Sequence, residues 1–148
     1  MVPEQIEREV VIAAPPERVW AILTEPGHLD QWFTNAGADV DLRPGGAIRY
    51  RWKEHGEFHA VIEALEPPRR FAWRWALAAG AAPVDGNSTQ VEMTLAPEGA
   101  GTRLRVVERG FDDLDLPESE QAQHVKDNVE GWQGGLTSAK AYLEATAA

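Results

Sequence analysis

The sequence predicts a single α+β domain in which an antiparallel sheet of about six strands packs against a long C-terminal helix. The 148 residues suffice for one hydrophobic core, so the whole chain, 1–148, is assigned to one domain. Apolar and polar residues alternate repeatedly between positions 38 and 109, with short turns between the runs, as in an antiparallel meander. The end of the chain instead repeats apolar residues every three or four positions, which indicates a helix. The two apolar surfaces must then cover each other.

The first elements are a strand and two short helices. Ile6, Val10 and Ile12 share one side of an alternating segment over residues 4–13, which predicts the first strand. Residues 15–17, Pro-Pro-Glu, open a helix because proline is tolerated in a first turn and an acid suits the positive end of the helix dipole. Pro26-Gly27 ends that helix, and residues 28–33 are predicted to form a second short one.

The sheet is predicted from residues whose apolar side chains alternate inward. The clearest run places Ile48, Tyr50 and Trp52 on one face and basic residues on the other. The other predicted inward sets are Phe58, Ala60 and Ile62; Phe71, Trp73, Trp75 and Leu77; Val91, Met93 and Leu95; and Leu104 and Val106. The alanine-rich stretch 78–88 is predicted to be a long surface loop.

The terminal helix is predicted to begin around residues 117–120. Its apolar stripe consists of Val125, Val129, Trp132, Leu136, Ala139 and Leu143. Gly131, Gly134 and Gly135 lie inside this helix, where each glycine costs up to about 1 kcal/mol relative to alanine. We therefore expect a close approach of another element, or a kink, at these glycines.

Composition and charge exclude several classes of function. The absence of cysteine excludes disulfides, cysteine-ligated metals and thiol nucleophiles. The 14 basic and 24 acidic residues give a net charge of −10, which disfavours nucleic acid and anionic membrane surfaces as partners. The N-terminal residues do not resemble a secretory signal, and no apolar run approaches the length of a membrane span, so a cytoplasmic location is expected.

Several short motifs occur together in one order along almost the whole chain. They are Ala-Pro-Pro-Glu-Arg-Val-Trp at 14–20, Gln-Trp-Phe at 31–33, Arg-Pro-Gly-Gly at 43–46, Glu-Pro-Pro-Arg-Arg-Phe at 66–71 followed by Trp73, Gly-Thr-Arg-Leu at 101–104, Gly131-Trp132 and Tyr142-Leu143. With them the chain resembles the START-like (SRPBCC) helix-grip superfamily, most closely homologues of the C-terminal domain of the activator of the ninety-kilodalton heat-shock-protein ATPase. The resemblance implies a curved sheet wrapped around the C-terminal helix, with an apolar cavity between them for hydrophobic molecules.

The candidate ligand-binding residues are those that such a cavity would expose. They are Tyr50, Trp52, Phe58, Trp73, Trp75, Met93, Val106, Glu108, Asn128 and Trp132. The inward tryptophans either stack into a solid core or form the wall of a pocket, because large rings with a few donors suit both. Trp20 and Trp32 are expected to pack at one end of the fold.

Glu108, His124 and Asn128 are the polar residues that can converge at the mouth of the cavity. A buried Glu108 would suit acid–base catalysis, but its place at the end of the last strand favours an exposed position at the rim. The four histidines show no metal-ligand spacing, and no serine shows a nucleophile motif. No catalytic residue, metal site or cofactor is therefore predicted.

These observations lead to three functional hypotheses. The first is non-catalytic binding of a small hydrophobic or aromatic ligand, with the tryptophans stacking on it and Asn128 and Tyr50 orienting its polar groups. The second is a polyketide cyclase or aromatase-like enzyme that uses Glu108 or His124. The third is a co-chaperone, which the resemblance suggests, although the eukaryotic activators carry an additional N-terminal domain for which 148 residues leave no room.

The sequence leaves two kinds of protein partner open. The stripe of Arg49, Arg51 and Lys53 would attract an acidic protein if it were not simply a solvated face of the sheet. A homodimer is the other possibility that the sequence leaves open.

Overall fold

A computed structural model describes residues 2–146 of the chain. The elements are β1 (Gln5–Ile12), α1 (Pro16–Thr24), α2 (Pro26–Trp32), β2 (Ala38–Val40), β3 (Ala47–Trp52), β4 (Gly56–Glu66), β5 (Arg70–Ala76), β6 (Ser88–Glu98), β7 (Gly101–Arg109), a 3-10 turn (Phe111–Asp113) and α3 (Glu118–Thr146). The strands form one antiparallel sheet in the order β1-β7-β6-β5-β4-β3-β2. No helix in this part of the chain is long and apolar enough to cross a membrane.

The predicted fold class is confirmed, with two small differences at the boundaries of elements. The curved sheet has seven strands instead of about six, because the three-residue strand β2 pairs with β3, placing Ala38 opposite Tyr50. The second helix begins at Pro26 instead of residue 28, because a proline is well placed in the first turn of a helix. Only Glu25 separates the two short helices.

The core forms on the concave face of the sheet, as the alternation predicts. Ile48 and Tyr50 on β3 and Phe71 and Trp73 on β5 are buried, whereas Arg49 is exposed. The inward residues Trp52, Phe58 and Leu77 are only half-buried. These three lie at or near strand ends on the same side of the sheet, which leaves that end of the concave face less covered.

Polar contacts hold α3 against the edge strand β1. Lys140 Nζ donates to the carbonyl oxygen of Val11 at 2.8 Å, and the backbone N–H of Ala13 donates to Glu144 Oε2 at 3.0 Å. The helix α3 also packs more extensively against β1 than against any other element. The C-terminal part of the helix is thereby fixed to one side of the sheet.

The glycines of α3 do not have the role that the sequence predicts for them. The helix runs unbroken from Glu118 to Thr146, and a Cβ atom added at Gly131 or Gly134 would meet no atom within 4 Å. At Gly135 the nearest atom is the Trp32 ring at 3.8 Å, an ordinary contact. The expectation of a close approach is therefore wrong, because Gly131 and Gly134 face open space and Gly135 makes only an ordinary contact.

The charged residues of the outer face of the sheet neutralise one another. Glu92 lies between Arg70, which hydrogen-bonds to it, and Arg109, whose Nη2 is 3.1 Å from Glu92 Oε1. The hydrogen bond from Arg70 is the main cause that lowers the pKa of Glu92, with Arg109 adding to it. Other arginine–carboxylate pairs on strands are Arg103 with Glu9 and Glu98, Arg105 with Glu7, and Arg74 with Glu63.

Glu92→Gln tests this cluster. A carboxyl group whose pKa is lowered by folding stabilises the protein above its ordinary pKa of 4.5, and this stability disappears as the pH falls through the lowered value. We expect the variant to lose about 1 kcal/mol of unfolding free energy at pH 7, and the difference from the wild type to shrink as the pH falls below 4.5. Urea unfolding followed by far-UV circular dichroism between pH 3 and 7 measures this. Glu63→Gln, in a more exposed pair, should show a smaller change, and a Glu92→Gln difference that is constant with pH would contradict the assignment.

Candidate ligand-binding groove

A groove of about 760 Å³ lies between one end of the sheet and α3. This volume is in the range of small-molecule sites. The sheet side consists of Trp52, Glu54, His55, Phe58, Trp75, Ala76 and Leu77, and α2 with its end contributes Trp32 and Phe33. The helix side consists of His124, Asp127, Asn128, Glu130, Gly131, Trp132, Gly134, Gly135 and Ser138.

The structure divides the predicted cavity residues into two sets. Those that line the groove are Trp52, Phe58, Trp75, Asn128 and Trp132. Those that lie behind its wall are Tyr50, Trp73, Met93, Val106 and Glu108, all of them at most 2% exposed. The tryptophans thus serve both predicted purposes, since some fill the core and others face the groove.

Position along the strand explains why Trp73 and Trp75 differ. Trp73 lies in the middle of the sheet, opposite Ile62 on β4 and Val91 on β6, and is covered from all sides. Trp75 lies two residues nearer the end of β5, where the groove begins. Tyr50 is likewise enclosed, and burial raises the pKa of its phenol. Tyr50 is therefore not among the residues that line the groove, where the sequence predicts that its hydroxyl orients a ligand.

Three nearly parallel rings form the centre of the wall. The ring of Phe33 stacks with Trp132 at a centroid distance of 5.5 Å and an angle of 13°, and with Trp75 at 6.3 Å and 19°. Trp75 and Trp132 are 5.9 Å apart at 24°. Trp52 meets Phe33 edge-on at 5.2 Å, and its indole N–H donates to the Phe33 carbonyl oxygen at 2.7 Å. Phe33 is absent from the predicted cavity residues, although it connects the rings that are among them.

Glu108 lies directly behind this wall and is fully buried. Its Oε1 accepts from Trp132 Nε1 at 2.8 Å, and its Oε2 accepts from Trp75 Nε1 at 3.0 Å and Thr89 Oγ1 at 2.5 Å. Asn128 Nδ2 donates to both carboxylate oxygens, at 3.0 and 2.9 Å. The predicted exposed position at the rim is wrong, because β7 continues past Glu108 and pairs there with both β1 and β6.

The carboxylate of Glu108 orients the two tryptophans that line the groove. An indole N–H can only donate a hydrogen bond, and burying it without an acceptor is costly. Glu108 supplies one oxygen to an indole from the sheet and the other to an indole from the helix. The two rings are held in place from behind, which leaves the groove side free of these hydrogen bonds.

The helix side of the groove follows a regular spacing. The residues His124, Asn128, Gly131, Gly135 and Ser138 are three or four positions apart and form a stripe beside the predicted apolar stripe. This spacing is the sequence signal that could have located the groove. The glycines leave room because they carry no side chain, and Gly131 and Gly134 have none of the protein within 4 Å of where a Cβ would lie.

The groove offers little for catalysis. In the part of the chain that is described, no three His, Asp or Glu side chains are placed to hold a metal ion. Within that same part, no acidic side chain hydrogen-bonds to the lining residues Ser138, His55 or His124. Glu108, the best predicted acid or base, does not line the groove and accepts from four side chains.

Comparison with known proteins identifies the family. Residues 13–144 match the family model described as Activator of Hsp90 ATPase homolog 1-like protein. The chain belongs to this family. No curated protein sequence matches it significantly.

Solved structures of similar proteins have the same helix-grip fold. MLL2253 from Mesorhizobium loti is 24% identical, with a TM-score of 0.80 over 96% of this chain and 98% of that one. DynU16, from the dynemicin biosynthetic locus, is 26% identical with a TM-score of 0.75, covering 96% of this chain and only 48% of DynU16. CalU16 from Micromonospora echinospora is 24% identical with a TM-score of 0.63, over 89% of this chain and 75% of that one. As an Activator of Hsp90 ATPase homolog 1-like protein, the chain has the architecture of a START-like ligand-binding domain.

Glu108→Gln tests the anchoring of the wall. The amide that replaces one carboxylate oxygen faces N–H and O–H donors, so at least one hydrogen bond is lost in a buried site. We expect the unfolding free energy to fall by about 1–3 kcal/mol and the near-UV circular dichroism of the tryptophans to change. Glu130→Gln, an exposed neighbour on α3, should change stability by less than about 0.5 kcal/mol. A Glu108→Gln protein with wild-type stability and spectrum would contradict the anchoring role.

Proposed function

We propose that the protein binds a small aromatic or otherwise hydrophobic molecule in the groove between the sheet and α3, without transforming it. The observation that carries the proposal is the near-parallel stack of Phe33, Trp75 and Trp132 along a groove of about 760 Å³. Planar aromatic surfaces of this kind bind apolar and aromatic molecules by burial and stacking.

The anchoring of the wall supports a binding role further. Rings that are already held in place lose little conformational freedom when a ligand arrives, so less of the binding energy is spent on ordering them. Trp52 is held by the carbonyl of Phe33, and Trp75 and Trp132 are held by Glu108. The groove is thus organised before a ligand enters.

Empty space along α3 is the second support. A helix interior normally avoids glycine, yet Gly131 and Gly134 lie in the groove wall with no protein atom to accommodate. Their cost in helix stability is explained if the space beside them is used by a ligand.

The cyclase hypothesis has less support. A general acid or base must reach the reacting atoms. Glu108 is separated from the groove by the rings it anchors, and His124, which does line the groove, has no hydrogen-bonded carboxylate to orient it in the described residues.

Docking of an acidic protein on the outer face also has less support. Within the stripe of Arg49, Arg51 and Lys53, the middle residue is already paired with Asp39 at 2.5 Å and Glu57 at 2.8 Å. Co-chaperone activity through this face is therefore the weaker alternative. A homodimer stays a prediction from the sequence, and a cytoplasmic location is part of the proposal.

Filling the groove tests the proposal. Gly131→Leu places a side chain in the empty space, and we expect it to weaken binding of the neutral probe 2-naphthylmethanol at least tenfold in isothermal titration calorimetry. Because leucine is a better helix former than glycine, thermal unfolding should occur at the same or a higher temperature.

Gln133→Leu is the matched control for this experiment. Gln133 is exposed on α3 and does not line the groove, so the same new side chain there should leave affinity within twofold of the wild type. Unchanged affinity of Gly131→Leu would show that the probe binds elsewhere. No saturable binding of any naphthyl probe, neutral or charged, would overturn the proposed function.

A further inference from the structure

The charged side chains that line the groove are acidic, and two histidines lie among them. Glu54, Asp127 and Glu130 line it, and no lysine or arginine among the described residues does so. The rest of the lining is aromatic, aliphatic, glycine or neutral polar. The groove is therefore an apolar site with a negatively charged rim.

These three carboxylates have no cationic partner. Glu54 and Glu130 take part in no ion pair, and Asp127 accepts only a hydrogen bond from the Gln123 amide at 2.8 Å, within the described part of the chain. The outer face of the sheet is different, because the carboxylates there are bound to arginines. The negative charge of these three side chains is thus not compensated by an ion pair within the described residues.

A fourth carboxylate lies behind the wall. Glu108 is fully buried, and every hydrogen bond it accepts comes from a neutral group of tryptophan, threonine or asparagine. No lysine, arginine or histidine in residues 2–146 forms an ion pair with it. The wall behind the groove therefore contributes no positive charge that would repel a cation.

The aromatic side chains strengthen this preference. Phe33, Trp52 and Phe58 are half-buried and leave ring surface exposed to the groove. Aromatic faces attract cations through the negative potential above the ring, and the attraction grows when the cation is partly desolvated. An organic cation would meet rings and unpaired carboxylates at the same place.

We infer that the groove selects molecules that combine an apolar or aromatic body with a positive charge, that is, aryl amines or quaternary ammonium compounds. This inference rests on the proposed ligand-binding function and specifies its ligand class. The apolar body would lie against the rings, and the ammonium group would lie toward Glu54, Asp127 and Glu130 at the rim.

Three naphthyl probes of the same size test the inference. They are the cation (2-naphthylmethyl)trimethylammonium, the neutral 2-naphthylmethanol and the anion 2-naphthylacetate, titrated by calorimetry at pH 8. We expect the cation to bind at least tenfold more tightly than the neutral probe and the anion to bind most weakly. Added salt should lower the affinity for the cation and leave the affinity for the neutral probe nearly unchanged.

Two triple variants separate the rim from the overall charge of the protein. The rim variant is E54Q/D127N/E130Q, and the control is E17Q/D112N/E120Q, which changes exposed acids outside the groove. Each replaces three acids and takes the net charge from −10 to −7. In the rim variant, the affinity for the cation should fall at least fivefold and the affinity for the neutral probe should stay within twofold of the wild type. In the control variant, both affinities should stay within twofold.

Each contrary result is distinguishable. A neutral probe that binds as tightly as the cation, or equal losses in the two triple variants, would overturn the cation preference while the proposed function stands. Failure of all three probes to bind the wild-type protein would overturn both.

Discussion

The buried carboxylate of Glu108 is the constraint on which the arrangement of the groove depends. It accepts hydrogen bonds from Trp75 and Thr89 on the sheet and from Asn128 and Trp132 on α3. An anion in a protein interior is costly unless donors surround it, and buried indole N–H groups are costly without an acceptor. Acceptor and donors therefore require one another, and together they set the distance between sheet and helix at the groove.

The groove follows from how α3 is attached. Its C-terminal part is fixed to β1 through Lys140 and Glu144, and its middle is held at Glu108 through Asn128 and Trp132. The helix surface beside these contacts carries glycine, so the sheet and the helix do not close on each other there. The same helix completes the core with one stripe of residues and opens a groove with the next.

Charge is distributed unevenly between the two faces of the sheet. On the outer face, arginines and carboxylates on neighbouring strands pair with one another, as Arg105 does with Glu7. Around the groove, Glu54, Asp127 and Glu130 form no ion pair with any residue between 2 and 146. Three of the acids behind the net charge of −10 thus lie at the groove, and they point to the charge that a ligand would carry.

The sequence by itself determined the secondary-structure elements, their order and the family. These depend on local periodicity and on short motifs whose residues are contiguous in the chain. It also placed five of the groove residues. Trp52, Phe58 and Trp75 alternate inward with the core, and Asn128 and Trp132 lie on the last helix. Only the tertiary structure decided that Trp73 is core and Trp75 is wall, although both point to the same face of β5. The same holds for Phe33, which reaches the tryptophans from α2, and for the burial of Glu108 between β1 and β6. Those outcomes depend on contacts between residues far apart in the chain, which no local pattern records.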